Sequence, residues 1–241
     1  MNKEIVDTLK TLFQGIKIPT VFGPDDYDST GRVESALINA LKEIGIQFNT
    51  VEIRCGCTKA VIIFEEYDYV IKIPFKGTWL GVYDDEGYYD YDNFEFMNYE
   101  SASYSEDEWN YCESELNIYK KIKESGFDNF IAPVDFLCFS KNNYPIYIQE
   151  KAIIFNQDSS NSATENSAKE AFTLIERHHT ALSVDWIALA IDYYGKDIVD
   201  NFLSYLDETD MIEDLHSGNI GFTIDDMKPV IIDYAGFNSW L

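Results

Sequence analysis

Apolar residues Ile5, Val6, Leu9, Leu12 and Phe13 recur at three- and four-residue intervals in "NKEIVDTLKTLFQGI". That spacing lines one side of a helix, and Gly15 supplies a stop. A second helix is predicted over "STGRVESALINALKEIG", capped near Ser29 or Thr30 and closed at Gly45. From Gln47 the pattern changes to three short segments rich in Val, Ile and Phe: "QFNTVEIRC", "KAVIIFEE" and "DYVIKIPF". With brief polar turns between them, these predict an antiparallel meander.

The helical period returns in "ESELNIYKKIKESG", where Leu116, Tyr119 and Ile122 form an apolar stripe. A strand pair follows in "APVDFLCFS" and "PIYIQEKAI", and then "NQDSSNSATENSAKE", whose polarity reads as a linker or loop. Helices are predicted again over "AKEAFTLIERHHTALS" and "DWIALAIDYYGKDIVDNFLSYLDE". They lead into "EDLHSGNIGF" and then the apolar run "PVIIDYAG", which carries Asp233. His178 and His179 have no carboxylate at metal-binding spacing and read as structural or solvent-facing, while Trp186, Tyr193 and Tyr194 read as core.

Composition narrows the classes. A chain of 241 residues with 46% hydrophobic and 15% aromatic content can build one large domain or two lobes. No apolar run approaches the roughly eighteen residues a bilayer span needs, and the amino-terminal stretch carries acids, unlike a signal peptide, so a cytoplasmic protein is expected. Cys55, Cys57, Cys112 and Cys138 are too irregular for a disulfide framework; they are expected as reduced thiols, with the lone C-x-C pair giving little basis for zinc. A net charge of −25 argues against nucleic acid as a direct partner. From Gly77 to Tyr119 there is no Lys or Arg, while twelve acids and twelve aromatics crowd together. That segment reads either as a solvated acidic insertion or as a docking surface for a basic protein partner.

The order of elements can be set against phosphoryl transfer. That chemistry uses a strand lysine on the phosphates, a helix glutamate to position it, a loop aspartate at the acceptor hydroxyl, and Asn plus Asp for magnesium. Lys72 lies in "YVIKIPF" among Val70, Ile71 and Ile73; the rival reading is an exposed edge lysine. Glu115 sits on the next predicted helix with Ile118, Tyr119 and Ile122 at +3, +4 and +7, and Glu113 is the alternative. Asp214 and Asn219 have D-x-x-x-x-N spacing, although such a pair also occurs as simple turn capping. Asp233 follows at the end of an apolar strand, at a separation that allows a short hairpin.

On these residues, from about Asn49 to Gly236, the chain resembles the protein-kinase-like superfamily. Its "DLHSGNIG" is similar to the branch of aminoglycoside and choline phosphotransferases and bacterial or phage-encoded kinase-like proteins. The resemblance implies a bilobal α+β fold: a helical extension over 1–46, an N-lobe over 47–152 with an acidic Tyr-rich insertion at 77–111, and a truncated, mainly helical C-lobe over 153–241. It implies ATP and Mg2+ as cofactors, Asp214 as the base or hydroxyl-orienting group, and Asn219 and Asp233 as magnesium ligands. Lys72 would be the phosphate clamp and Glu115 its partner, with His216 steadying the loop or meeting the γ-phosphate. Gly56 and Thr58 would cover the triphosphate, and a hinge near Glu150 to Ala152 would meet adenine. The chain departs from the family in having one glycine in "RCGCTK", Ile212 and Glu213 in place of the usual His-Arg pair, and eight residues after Asp233.

Three functions are consistent with these readings. The first is an ATP- and magnesium-dependent phosphotransferase acting on a protein or small-molecule hydroxyl. The second is a pseudokinase working through the acidic insertion, and the third an acidic inhibitor that occupies a basic partner.

Overall fold

A computed structural model describes residues 1–19, 32–46, 50–56, 58–75, 77–83, 89–98, 110–155, 163–209, 211 and 217–234. Among them the fold is mixed α+β, with six α-helices, an antiparallel five-stranded sheet, a three-stranded sheet and a separate two-stranded hairpin. The chain divides into two compact units, Met1–Ser114 with Val134–Glu150, and Glu115–Pro133 with Lys151–Leu241.

In the first unit, helix α1 (Lys3–Gln14) is capped by Asn2, whose side chain accepts from the Glu4 N–H at 3.0 Å, and closed by Gly15, whose N–H donates to the Leu12 carbonyl at 3.2 Å. Helix α2 (Arg32–Glu43) ends where Gly45 takes φ +87°, a conformation that glycine reaches without a Cβ clash. The expected capping residues Ser29 and Thr30 lie outside the described residues. Strands β1 (Val51–Cys55), β2 (Lys59–Phe64) and β3 (Tyr69–Pro74) form the meander. The hairpin β4 (Gly77–Tyr83) and β5 (Tyr89–Asn98) pairs antiparallel, with a register shift between Gly81 and Val82. Within the acidic stretch, then, the backbone is ordered into a ladder that the abundance of carboxylates disguised.

Helix α3 (Tyr111–Glu124) follows, and the division between the units falls inside it, after Ser114. Strands β6 (Val134–Phe139) and β7 (Pro145–Glu150) complete the five-stranded sheet, in the order β1-β2-β3-β7-β6. One face of this sheet is aliphatic: Ile62, Ile71, Ile73, Ile146 and Ile148 are fully buried in a core shared with Leu9 and Phe13 of α1 and Leu37 of α2. Each such side chain contributes about 1.5–3 kcal/mol by leaving water. Helices α1 and α2, within the 1–46 stretch read from the sequence as an extension ahead of the sheet, thus supply its apolar cover. Asn142, in the β6–β7 turn, clasps that cover by accepting from the Ile18 N–H at 3.0 Å and donating to the Ile18 carbonyl at 2.8 Å.

The second unit holds the remainder of α3, a 3₁₀ turn at Asp128–Phe130, and helices α4 (Glu165–His178), α5 (Val184–Tyr194) and α6 (Lys196–Glu208). Thr164 caps α4 by accepting from the Ser167 N–H at 3.2 Å. The helical run from Asp185 to Glu208 is broken at Gly195, which takes φ +90°. Strands β8 (Ala152–Ile154), β9 (Ile220–Thr223) and β10 (Pro229–Ile231) form an antiparallel sheet in the order β10-β9-β8. Trp186 is fully buried as expected, and Phe130 stacks on Phe202 with ring centres 4.1 Å apart. Tyr193 corrects its expected place in the core: it is 46% exposed, because the end of α5 turns its hydroxyl out to donate to Asp226 at 2.7 Å. Tyr119, expected in the α3 stripe, is only partly buried, whereas Leu116, Ile118 and Ile122 are buried. No helix among the described residues is long and apolar enough to cross a membrane.

Candidate functional site

Side chains alternate across a strand, so the residues between the buried isoleucines face the other way. Lys72 lies between Ile71 and Ile73 on β3; it pairs in register with Val61 on β2 and Tyr147 on β7 and is 3% exposed. It is a central-strand lysine, not an edge one, since β3 lies between β2 and β7. The same face carries Lys59, two residues from Val61, and Gln149, two residues from Tyr147; both are buried. The Lys59 ammonium sits 4.4 Å from the Tyr111 ring centre. Tyr147 accepts a 2.8 Å hydrogen bond from the Asn110 side-chain amide, and Asn110 in turn accepts from the Glu113 N–H at 3.1 Å, capping α3. Burial, reinforced by Cys112 and Glu113, pushes the Tyr147 hydroxyl above its ordinary value, so it stays protonated.

Gly56 and Thr58 occupy the three-residue connection between β1 and β2. The Gly56 N–H donates to the Lys59 carbonyl at 3.0 Å, and the Thr58 carbonyl accepts from the Phe75 N–H at 2.8 Å. The Gly56 N–H is thus committed to the start of β2, and the Thr58 carbonyl ties the connection to the end of β3. Cys57 lies outside the described residues; Cys55 is exposed, while Cys112 and Cys138 are buried. Burial pushes Cys138 up to about 11, which marks it as packing rather than as a nucleophile. Glu150 ends β7, partly buried, with Oε1 3.3 Å from the Met1 amino group. The chain passes from the first unit to the second immediately after Glu150, and Ala152 begins β8 opposite Thr223.

Glu115 belongs to the second unit, on α3, and is fully buried; Glu113, the alternative, is exposed. Asn219 closes a 3₁₀ turn, Ser217–Asn219, and is 6% exposed. Its carbonyl accepts from the Ile232 N–H at 2.8 Å and from the Asp233 N–H at 3.4 Å, just beyond the Ile220–Ile231 pair that closes the β9–β10 ladder. The two expected magnesium ligands are thus held side by side by backbone bonds, one buried and one partly exposed. Among the described residues no three His, Cys, Asp or Glu side chains are grouped as a ligand set. An amide oxygen and a carboxylate nevertheless suit magnesium, which keeps waters and substrate phosphates for its other positions. Asp214 and His216 lie outside the described residues.

Sequence reasoning missed Lys59, Asn110 and Gly221. The period of two that sets Lys72 off from the isoleucines also selects Lys59, and an Asn directly before a helical stripe is a capping signal. Gly221 has a steric role: a Cβ there would lie 2.3 Å from the Ile153 carbonyl oxygen across the β8–β9 pair. His178 is buried and structural as expected, with Nε2 2.7 Å from Asp200 Oδ1, while Arg177 donates to the other carboxylate oxygen at 2.6 Å.

No family model, curated protein or solved structure matches the chain.

Proposed function

We propose that the chain is an ATP- and magnesium-dependent phosphotransferase of protein-kinase-like, bilobal architecture, acting on a protein or small-molecule hydroxyl. The observation that carries the reading is the pairing of Asn219 with Asp233 through the Asn219 carbonyl at the base of the β9–β10 hairpin. It is supported by Lys72, a buried cation on a central strand, and by the passage between units after Glu150, where a hinge near adenine is expected. In this reading Asn219 and Asp233 hold the ion, Lys72 fixes the triphosphate, Glu115 positions Lys72, and Asp214 orients the acceptor hydroxyl. Magnesium, when bound, supplies positive charge against the phosphate oxygens. The chain's net charge of −25 favours capture of the cation and opposes approach of the nucleotide, so activity is expected to depend steeply on magnesium.

The test is incubation with labelled ATP and magnesium, wild type beside Asp233→Ala and Asp214→Asn. Wild type is expected to transfer label and to gain thermal stability with nucleotide, and both variants to lose about a hundredfold or more in turnover. A wild type that neither turns over nor shifts with nucleotide would refute the enzyme. A second reading is favoured by the β1–β2 connection, which has a single glycine and commits the Gly56 N–H to the Lys59 carbonyl. It is a catalytically weak kinase-like binder that holds a basic protein through the acidic segment at 77–111. Salt-sensitive binding of a basic protein that persists in Asp233→Ala would select it.

A further inference from the structure

Asp233 is followed by Tyr234, whose large side chain is fully buried. A phenol taken out of water needs a partner for its hydroxyl, whereas a phenylalanine of nearly the same volume needs none. The partner is the Ala132 carbonyl, which accepts at 2.9 Å from a residue 102 positions away in sequence. Ala132 is itself fastened to the strand that leads into Asp233. Its N–H donates to the Ile231 carbonyl at 2.9 Å, and the preceding Ile131 forms a parallel bridge with Ile231. Residues 131 and 132 therefore lie along the edge of β10 that β9 leaves open. Ile131, Ala132, Val230 and Ile231 are all buried, so the seam is closed to solvent.

The chain is thus gripped on both sides of Asp233. Before it, the Ile232 and Asp233 N–H groups donate to the Asn219 carbonyl at 2.8 and 3.4 Å; after it, the Tyr234 hydroxyl is seated on Ala132. The 3.4 Å bond is long for an N–H donor, so by itself it sets Asp233 less firmly than Ile232 is set. The Tyr234 anchor supplies the second fixed point that directing a side chain requires. Another tyrosine hydroxyl grips the same stretch from its other end. Tyr194, which ends α5, shares its hydroxyl proton between the Asn129 carbonyl at 2.7 Å and the Pro229 carbonyl at 2.9 Å. Pro229 begins β10, at the end away from Asp233.

We propose that Tyr234 is a positioning residue for Asp233: its hydroxyl on the Ala132 carbonyl fixes the direction in which the carboxylate is presented beside Asn219, and with it the affinity of the pair for a divalent ion. The inference rests on the reading of Asn219 and Asp233 as magnesium ligands. A group that orients a ligand without touching the ion typically governs metal affinity by about ten- to a hundredfold.

The experiment measures binding of Mn2+ to the full chain, read as loss of the free-ion signal in electron paramagnetic resonance with Mg2+ as competitor. Wild type, Tyr234→Phe, Tyr194→Phe and Asp233→Ala are compared, beside their urea midpoints and the Mg2+ concentration that half-saturates turnover. Asp233→Ala defines what the acidic surface binds on its own. Tyr234→Phe keeps the ring and removes the hydroxyl. It is expected to weaken the Asp233-dependent Mn2+ site about tenfold and to raise the half-saturating Mg2+ in step, with turnover at saturating Mg2+ held within about threefold. Tyr194→Phe is expected to lower the urea midpoint comparably while leaving Mn2+ binding within about twofold. Equal weakening of Mn2+ in both tyrosine variants, or Mn2+ binding unchanged in Tyr234→Phe, would make the Tyr234 hydroxyl a packing contact and overturn the proposal. A site weakened in Tyr234→Phe alone, in a wild type that transfers no phosphate from ATP, would uphold the positioning role and overturn the phosphotransferase. Mn2+ binding that Asp233→Ala leaves unchanged would overturn the ligand pair and, with it, the role of Tyr234.

Discussion

In the five-stranded sheet, neighbours in sequence serve different ends: Ile71 and Ile73 lie in the helix-covered core, while Lys72 between them faces the opposite way with Lys59 and Tyr147. In the three-stranded sheet no such separation exists. Asn219, Ile220 and Gly221 are consecutive, and they respectively pin Asp233, close the ladder against Ile231, and allow β8 to approach β9. A strand that presents two full faces can divide packing from chemistry by its period of two. A strand of four residues that ends at the candidate site cannot, and there stability and function should fail together.

The largest effect expected from this contrast is in the first sheet. Ile71→Ala should cost about 2–5 kcal/mol of stability, read as a fall in denaturant midpoint. The nucleotide-induced thermal shift should survive in that variant and vanish in Lys72→Met. If Ile71→Ala also erased the shift, the two faces would not be independent. Next, Gly221→Ala forces a Cβ against the Ile153 carbonyl and should cost about 1–3 kcal/mol, with turnover falling in parallel because Asn219 moves with β9. Unchanged turnover in a clearly destabilised Gly221→Ala would break the contrast.

The smallest effect concerns the carboxylates of the second unit. Burial would raise Asp200, but hydrogen bonds from His178 and Arg177 outweigh it and hold the carboxyl below its usual value. Asp192 is held low by the Ser167 hydroxyl, and Asp226 by the Thr223 hydroxyl. A carboxyl whose pKa is lower in the folded state contributes its full stability above its unfolded value of about 3.9, and loses it as pH falls through the folded value. Stability should therefore drop below about pH 4, and Asp200→Asn should flatten that acid limb while costing about 1 kcal/mol near neutrality. Urea midpoints measured from pH 7 to pH 3 would check it.

Much of this was legible in the residues. The stripe in α1, its Gly15 stop and the meander follow from spacing, because helices and strands bury their apolar residues with different periods. That Lys72 lies on a central strand was not legible, because it depends on β7 pairing with β3 from far along the chain. The β9–β10 hairpin was legible from "NIGF" and "PVIID". The hairpin at Gly77–Asn98 was hidden because its apolar positions are aromatics interleaved with acids, so charge masked the strand signal. The break at Gly195 was hidden inside a run of helical apolar spacing, where one glycine is commonly tolerated. Tyr193 and Tyr194 look alike in sequence, and only the direction in which α5 ends decides that one is exposed and the other bonds backbone carbonyls. Which glutamate of α3 is buried is likewise a matter of helix rotation, set by what the helix packs against rather than by its own pattern.

The alternation of the two units along the chain has a bearing on synthesis and dissection. Residues 115–133 belong to the second unit but are made before the first unit is complete at Glu150. Phe127 and Phe130 find their ring partner Phe202 on α6, near the far end of the chain. A gene cut after codon 150 would yield a fragment bearing Leu116, Ile118, Ile122 and these two rings without the helix that stacks on them, a sticky product and not an isolated domain. A cleaner excision would delete 115–133 and join Ser114 to Val134 through a flexible linker, leaving the five-stranded sheet and its two covering helices as the piece to express.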